Sequence, residues 1–464
     1  MKINTLVCTF MMCLFILTQV SFGQLEPSWQ DTPWSHGGLT PTGPVWSLDG
    51  FYDFDEDGQG EFYLSSAWGG PFGIDAMLYE RKSSGAYQII WYTWFNQLDL
   101  SDSNYSVITH CDLDNDQRPE LAVFLDAPAG MDSLYIYEFD PLTGLFPSVP
   151  TASWDLNITG GIEEVGAIQA DDIDNDGHQE LVLYFYASSP GSAHLMVIQL
   201  DEESLLEAPL WNVEMDDAST FAYYGYFLKI TDLDGDGLKE IIVVEWNYSR
   251  LVIYEDDDLG SFKKANDLFL TFEPLAFSND GAVEVDIDQD GFNELYLAST
   301  AGYLWLIKNE GDVSQISYGD NFTLIHDFMS EGGHVPTQLK LMEPSGPNST
   351  IDPNSTVDPN SMINTDVCMY LSTTDVNETE SNLFEIRVTP GDANQPSSYA
   401  ITSVFTEIQQ NDGLFKISKF GFGDSNGNGL LDFVLASSSL AYEQPHIKVL
   451  EQSDPNLLPD TMER

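Results

Sequence analysis

A nine-residue phrase with Asp at positions one, three and five and Glu at position nine recurs five times along this 464-residue chain, each copy running into an apolar stretch. The copies are Asp53-Phe-Asp-Glu-Asp-Gly-Gln-Gly-Glu61, Asp112-Leu-Asp-Asn-Asp-Gln-Arg-Pro-Glu120, Asp172-Ile-Asp-Asn-Asp-Gly-His-Gln-Glu180, Asp232-Leu-Asp-Gly-Asp-Gly-Leu-Lys-Glu240 and Asp286-Ile-Asp-Gln-Asp-Gly-Phe-Asn-Glu294. A sixth is softened to Asp424-Ser-Asn-Gly-Asn-Gly-Leu-Leu-Asp432. Recurrence at a fixed interval marks one supersecondary unit used many times. The first Asp residues are 59, 60, 60 and 54 residues apart, and the sixth copy opens 138 residues after the fifth. That gap holds two units if one is enlarged and has lost its acidic loop, which makes seven.

Each unit reads as four strands. In the third, Val165 to Ala170 leads into the loop, Leu181 to Tyr186 leaves it, Leu195 to Leu200 follows, and Trp211 to Val213 comes last. Further third strands are predicted at 134–139, 251–254, 303–307, 383–388 and 447–450. β-Branched and aromatic runs of this length, with short turns and no helical period, predict an all-β fold. Seven four-stranded units make a seven-bladed β-propeller, which protects its sheet edges by radial repetition. The blades are expected at 41–98, 99–158, 159–217, 218–275, 276–328, 329–407 and 408–452. The seventh lacks an outer strand of its own, and Trp29 matches the outer-strand tryptophans at Trp91 or Trp94, Trp154 and Trp211. Residues 24–33 are therefore expected to complete the last blade and close the ring. A polar insert at 344–364, three near-copies of a Pro-Asn-Ser hexapeptide beginning at Gly346, Asp352 and Asp358, replaces the loop of blade six.

Calcium takes six to eight hard oxygen ligands. Carboxylates at positions one, three and five can turn inward together on a tight loop, Gly at six permits the reversal, and a carbonyl at seven with the carboxylate at nine completes the shell. An EF-hand opens similarly but needs a bidentate Glu at twelve. Here position twelve is Leu64, Val123, Leu183, Val243 and Leu297, which excludes it. Good turn chemistry alone does not explain four like charges on one turn, since they repel unless a cation is present. Gln117 and Pro119 predict a strained or differently shaped turn in the second loop, and Asn426 and Asn428 a weaker sixth site.

At these residues the chain resembles the FG-GAP or VCBS repeat family, the seven-bladed propellers of the integrin α-subunit type. The resemblance covers essentially the whole chain after residue 23. It implies five to six structural Ca²⁺ ions, with side-chain ligands Asp53, Asp55, Asp57 and Glu61; Asp112, Asp114, Asp116 and Glu120; Asp172, Asp174, Asp176 and Glu180; Asp232, Asp234, Asp236 and Glu240; Asp286, Asp288, Asp290 and Glu294; and Asp424, Asn426, Asn428 and Asp432. Main-chain oxygen would come from Gln59, Arg118, His178, Leu238, Phe292 and Leu430. The chain lacks the family's Gly-Ala-Pro element after Phe-Gly, of which Phe420-Gly421 is the nearest remnant. That points to the broader secreted bacterial branch.

Composition sets the surroundings. Lys2, the apolar run from Val7 to Val20 and the small-x-small Ser21-Phe-Gly23 predict a signal peptide over 1–23, with a mature chain from Gln24. No later stretch reaches the length a bilayer requires. A secreted, extracellular or periplasmic monomer is expected. Cys8 and Cys13 would leave with the signal, and Cys111 and Cys368, both in strand patterns, read as small buried hydrophobes rather than a disulfide framework. Acidic residues number 75 against 16 basic, a formal charge of −59. Twelve positive charges from six divalent ions still leave −47 of the −59, so most of the excess is solvated surface. Such a surface excludes nucleic acid as a partner and suits saline surroundings, where screening is short-ranged.

Catalysis leaves no mark of its own. The histidines, His36, His110, His178, His194, His326, His334 and His446, show no metal spacing, and no nucleophile elbow or phosphate loop is present. Aromatic stretches at Trp68 to Phe72, Trp91 to Phe95 and Phe221 to Phe227 read as strand core or as a stacking surface for a sugar or a protein. The expected function is a binding or adhesion module for a protein or glycan ligand. The alternative is a carbohydrate-active enzyme, a polysaccharide lyase or hydrolase, on the same scaffold.

Overall fold

The computed structural model describes residues 25–30, 45–66, 76–93, 105–126, 130–187, 192–199, 211–214, 227–245, 250–256, 262–269, 277–342 (except 289 and 331), 367–389 (except 376, 378 and 379), 398–408, 417–437 and 446–452. Within them lie seven antiparallel sheets of four strands, ordered inner to outer along the chain. Blade one is Val45–Tyr52, Glu61–Ser66, Ala76–Arg81 and Tyr87–Thr93; blade two is Ser106–Cys111, Glu120–Leu125, Leu134–Glu138 and Ala152–Trp154. Blade three is Ile162–Asp171, Glu180–Ala187, Ser192–Ile198 and Trp211–Glu214; blade four is Phe227–Thr231, Glu240–Glu245, Arg250–Asp256 and Phe262–Phe269. Blade five is Phe277–Val285, Glu294–Ser299, Tyr303–Ile307 and Phe322–Asp327; blade six is His334–Met342, Val367–Asp375, Glu380–Thr389 and Ser398–Ile408. Ile417–Gly423, Asp432–Ser437 and His446–Gln452 belong to blade seven, and its fourth strand is Leu25–Gln30, paired antiparallel with His446–Gln452.

Burial follows from the stacking of blades. Second strands are covered on both faces, so Glu120–Leu125, Glu294–Ser299 and Asp432–Ser437 are buried at every residue. That is why they read as unbroken apolar runs rather than alternations. The core is divided among seven clusters, each filling the seam between two neighbouring sheets. Blade seven meets blade one in the same way, with Val434, Ala436, Ile447 and Val449 packed against Leu64, Met77 and Tyr79. Each large side chain fully buried in such a seam contributes about 1.5–3 kcal/mol relative to exposure.

Inner strands keep one face for the axis, and the pattern there changes to polar. Asp49, Tyr52, His110, Gln169, Lys229, Glu284 and Lys340 line a central cavity of about 590 Å³. Cys111 is buried and Cys368 half-buried, both on strands and neither in a disulfide. Trp91 is strand core, with its Nε1 donating to Pro147 O at 2.8 Å, while its neighbour Tyr92 is exposed. Trp94, the 68–72 stretch, residues 221–226, the polar insert, the signal segment and the cysteines within it lie outside the described residues.

Candidate metal centres

The six acidic loops join the first and second strands of blades one to five and seven. One hydrogen-bond scheme organises all of them. The position-nine carboxylate reaches back to the position-two amide: Phe54 N to Glu61 Oε2 is 2.8 Å, Leu113 N to Glu120 2.8 Å, Ile173 N to Glu180 2.9 Å and Ile287 N to Glu294 2.9 Å. Leu233 N to Glu240 and Ser425 N to Asp432 complete the set. The position-one carboxylate accepts from the position-six amide, as in Gly58 N to Asp53 at 3.0 Å and Gly177 N to Asp172 at 3.1 Å. The residue at five accepts from the amide at seven, which places the N–H groups of Gln59, Arg118, His178, Leu238, Phe292 and Leu430.

The second loop carries the strain that Gln117 leads one to expect but keeps the shape of the other turns. Gln117 takes a φ of 68°, close to the 81° of Gly58, and its amide bonds Asp112 Oδ2 at 3.1 Å like the glycines at this position. The acidic scheme holds a non-glycine residue in the left-handed region, at a cost of about 1–2 kcal/mol.

Loops one to four therefore point carboxylates at one place. Ligand-capable oxygens of Asp112, Asp114, Asp116 and Glu120 lie within 4.8 Å of one another, as do those of Asp53, Asp55 and Asp57, of Asp172, Asp174 and Glu180, and of Asp232, Asp234 and Glu240. Glu61, Glu180 and Glu240 are almost wholly buried. One oxygen of each has no hydrogen-bond partner among the described residues, and the same is true of one oxygen of Asp172, Asp232, Asp234 and Asp288. Orphaned carboxylate oxygens in a buried place are costly unless a cation meets them. Burial, with neighbouring carboxylates adding to it, pushes Glu61 and Glu240 up to about 9, Glu120 and Glu180 to about 8, and Glu294 to about 7. A hard, all-oxygen donor set of this kind fits Ca²⁺, which would supply the compensating charge. The side chains at positions one, three, five and nine would hold it.

The sixth loop is differently provided. Ser425 N and Oγ both donate to Asp432 Oδ2, and Gln452 N donates to Asp432 Oδ1 at 2.9 Å, so both oxygens are engaged. With burial the main cause, Asp432 is raised only to about 6.

Sequence reading missed two features. The first is lateral bonding between loops of adjacent blades: Asn115 Nδ2 donates to Gly177 O at 3.1 Å, Asn175 Nδ2 to Gly237 O at 2.7 Å, and Asn293 Nδ2 to Asp232 O at 2.7 Å. Gln179 Oε1 also accepts from Asp112 N at 2.8 Å. The second is a third-strand residue facing position nine, since Glu80 pairs with Glu61, Glu138 with Glu120 and Glu255 with Glu240.

The axial cavity holds a separate cluster. Lys340 Nζ lies 2.6 Å from Asp49 Oδ1, Tyr52 Oη donates to Asp49 Oδ2 at 2.9 Å, and Tyr63 Oη is 3.2 Å from His110 Nδ1. Burial works against the Asp49 charge, but Lys340 outweighs it and holds the carboxyl below its usual value. Burial and then the Asp49 charge push the Tyr52 hydroxyl well up. Lys229 with Glu284 and Lys239 with Asp171, each pair 3.0 Å apart, bridge further inner elements.

No family model matches the chain, and no curated protein matches it. Among solved structures it is similar to crystal structures of BBS1N in complex with ARL6DN. For the crystal soaked with lead the identity is 11%, the TM-score 0.48, and the match covers 93% of this chain and 99% of the other. For the crystal soaked with mercury the identity is 11%, the TM-score 0.49, and the coverage 94% and 98%. Among the described residues no helix is long and apolar enough to cross a membrane.

Proposed function

We propose that the chain is an exported propeller of the FG-GAP or VCBS type, stabilised by calcium, that acts as a binding or adhesion module for an extracellular partner. The orphaned, buried loop oxygens support the calcium. The partner is supported by one segment of blade two. Leu142 is 94% exposed and Val149 69%, both on the connection between the third and fourth strands, with half-exposed Leu145 between them. That connection is seated on the first acidic loop: Phe54, at position two, meets Phe146 edge-on with ring centroids 5.5 Å apart. A Cβ on Gly144 would sit 3.7 Å from Asp55 Oδ2. An ion in loop one would therefore hold in place the segment that presents Leu142 and Val149. Exposed aliphatic side chains suit a protein surface better than a sugar, which stacks on aromatic rings.

The test is a calcium-dependent binding screen of the pure protein against extracellular proteins and a glycan panel, repeated with Leu142→Asp. Calcium-dependent capture of a protein ligand that Leu142→Asp abolishes is the expected result. Ligand binding indifferent to both calcium and this substitution would overturn the reading.

The axial cluster favours a second reading, a carbohydrate-active enzyme. Tyr52, Tyr63 and His110 are held close, with the Tyr52 and His110 rings 4.3 Å apart, and a tyrosine–histidine pair can exchange a proton with a bound sugar. Reducing-end and unsaturated-product assays over a polysaccharide panel decide it. Turnover lost in both His110→Ala and Tyr63→Phe would establish this reading, and absence of turnover on every polymer would dismiss it.

A further inference from the structure

Across the hairpin from position nine of each loop stands a third-strand residue whose charge differs between blades. In blade four it is Glu255, paired with Glu240, and oxygens of Asp234, Asp236 and Glu255 come within 4.8 Å of one another. In blade five the pairing Leu295 with Ile307 places Lys308 next in register, opposite Glu294. Its Nζ lies 2.8 Å from Asp288 Oδ2 and 4.0 Å from Glu294 Oε1. The ammonium thus contacts carboxylates at positions three and nine of its loop, where in blade four a further carboxylate stands.

We propose that this cross-strand residue decides whether a loop requires an ion: Glu255 is an additional carboxylate ligand of loop four, and Lys308 is a built-in cation that takes the ion's place in loop five. The inference rests on the calcium reading above and deepens it. Loop four brings together five carboxyl groups, those of Asp232, Asp234, Asp236, Glu240 and Glu255. Loop five brings together four, those of Asp286, Asp288, Asp290 and Glu294, with one ammonium among them. Calcium affinity in such loops follows the number of charged ligands and the rigidity of the site. Arg118 acts in part the same way in loop two, where it pairs with Asp116 and with the cross-strand Glu138. The consensus of loop five is complete, yet its structure already contains a cation.

Hydrogen–deuterium exchange on the full chain, with calcium and after its removal, reads each loop separately. Peptides over 232–240 are expected to exchange about tenfold faster without calcium, while those over 286–294 change by less than about twofold. Lys308→Gln, with Lys308→Met as a second neutral variant, should make loop five calcium-dependent and add one bound ion by native mass spectrometry. Glu255→Gln should weaken calcium protection of loop four about tenfold. Loop five of the unsubstituted protein losing protection as loop four does would overturn the proposal and leave the calcium reading standing. Loops indifferent to calcium throughout would overturn both.

Discussion

Asn175, at the fourth position of one acidic loop, donates its side-chain amide to the carbonyl of Gly237, at the sixth position of the next, at 2.7 Å. The equivalent bond runs from Asn115 to Gly177, and Asn293 reaches back to Asp232. Loops two to five are therefore tied side by side across four blades. The approach is close: a Cβ on Gly235 would lie 2.3 Å from Gly291 O, so only glycine fits between loops four and five. An ion that orders one loop then fixes a hydrogen-bond partner of its neighbour, which couples the sites. Asn175→Ala should cost about 0.5–1.5 kcal/mol of stability and flatten the calcium-binding isotherm. Isothermal titration of the variant checks this, and an isotherm as steep as that of the parent would remove the coupling.

Removing calcium should lower the melting temperature by many degrees. Stabilisation by an ion that binds only the native state grows with ion concentration over Kd, about 2.7 kcal/mol at a hundredfold excess for each site. Calcium should restore the loss and magnesium should not, because Mg²⁺ demands octahedral geometry and releases its waters reluctantly. Glu240→Gln, which removes one orphaned oxygen's charge, should reduce the calcium-dependent part of the shift. Thermal melts with chelator, Ca²⁺ and Mg²⁺ measure each step; a melt indifferent to chelator would sink the assignment.

The pH dependence should change sign with the metal. In the metal-free protein burial raises Glu61 and Glu240 from 4.5 to about 9, and Glu120 and Glu180 to about 8. Between the unfolded value and these folded values the native state binds more protons than the unfolded chain, so stability falls as pH rises through that window. With calcium bound the same carboxylates must be ionised, protons compete with the ion, and stability falls as pH drops. Melting curves of exhaustively demetallated and calcium-loaded protein between about pH 5 and 9 should slope in opposite directions. Parallel slopes would show that these carboxylates are not ion ligands.

The fold was legible because the ruler was in the loops. Five acidic phrases about one blade apart counted the units, and the strands at 162–171, 180–187, 192–198 and 211–214 fall where apolar runs beside the third phrase placed them. The loop positions that carry the shared hydrogen-bond scheme were equally open, since spacing within nine residues survives folding unchanged. Cross-strand neighbours were not. Glu80 pairs with Glu61 but Glu255 with Glu240, offsets that differ because the intervening hairpins differ in length, so no fixed spacing reveals them. Nor does any local pattern bring Asp49 of blade one to Lys340 of blade six; only closure of the ring does. The strain at Gln117 was legible, but not that its turn keeps the glycine shape, which Asp112 Oδ2 holds by accepting the Gln117 amide.

Closure itself depends on two sets of contacts at one seam. The strand Leu25–Gln30 supplies main-chain bonds to His446–Gln452, and Leu64, Met77 and Tyr79 of blade one pack on Val434, Ala436, Ile447 and Val449 of blade seven. The hydrophobic part survives loss of the strand, but the third strand of blade seven then becomes an exposed edge, open to pairing with another chain. Deleting residues 24–32 should therefore lower the melting temperature and promote self-association, not unfold the protein outright. Leu64→Ala acts on the other set, and at a site with no exposure should cost about 2–5 kcal/mol without creating an edge. Thermal melts combined with analytical ultracentrifugation distinguish the two. A monomeric deletion variant with unchanged melting would mean that the seam alone holds the ring and the strand contributes nothing to it.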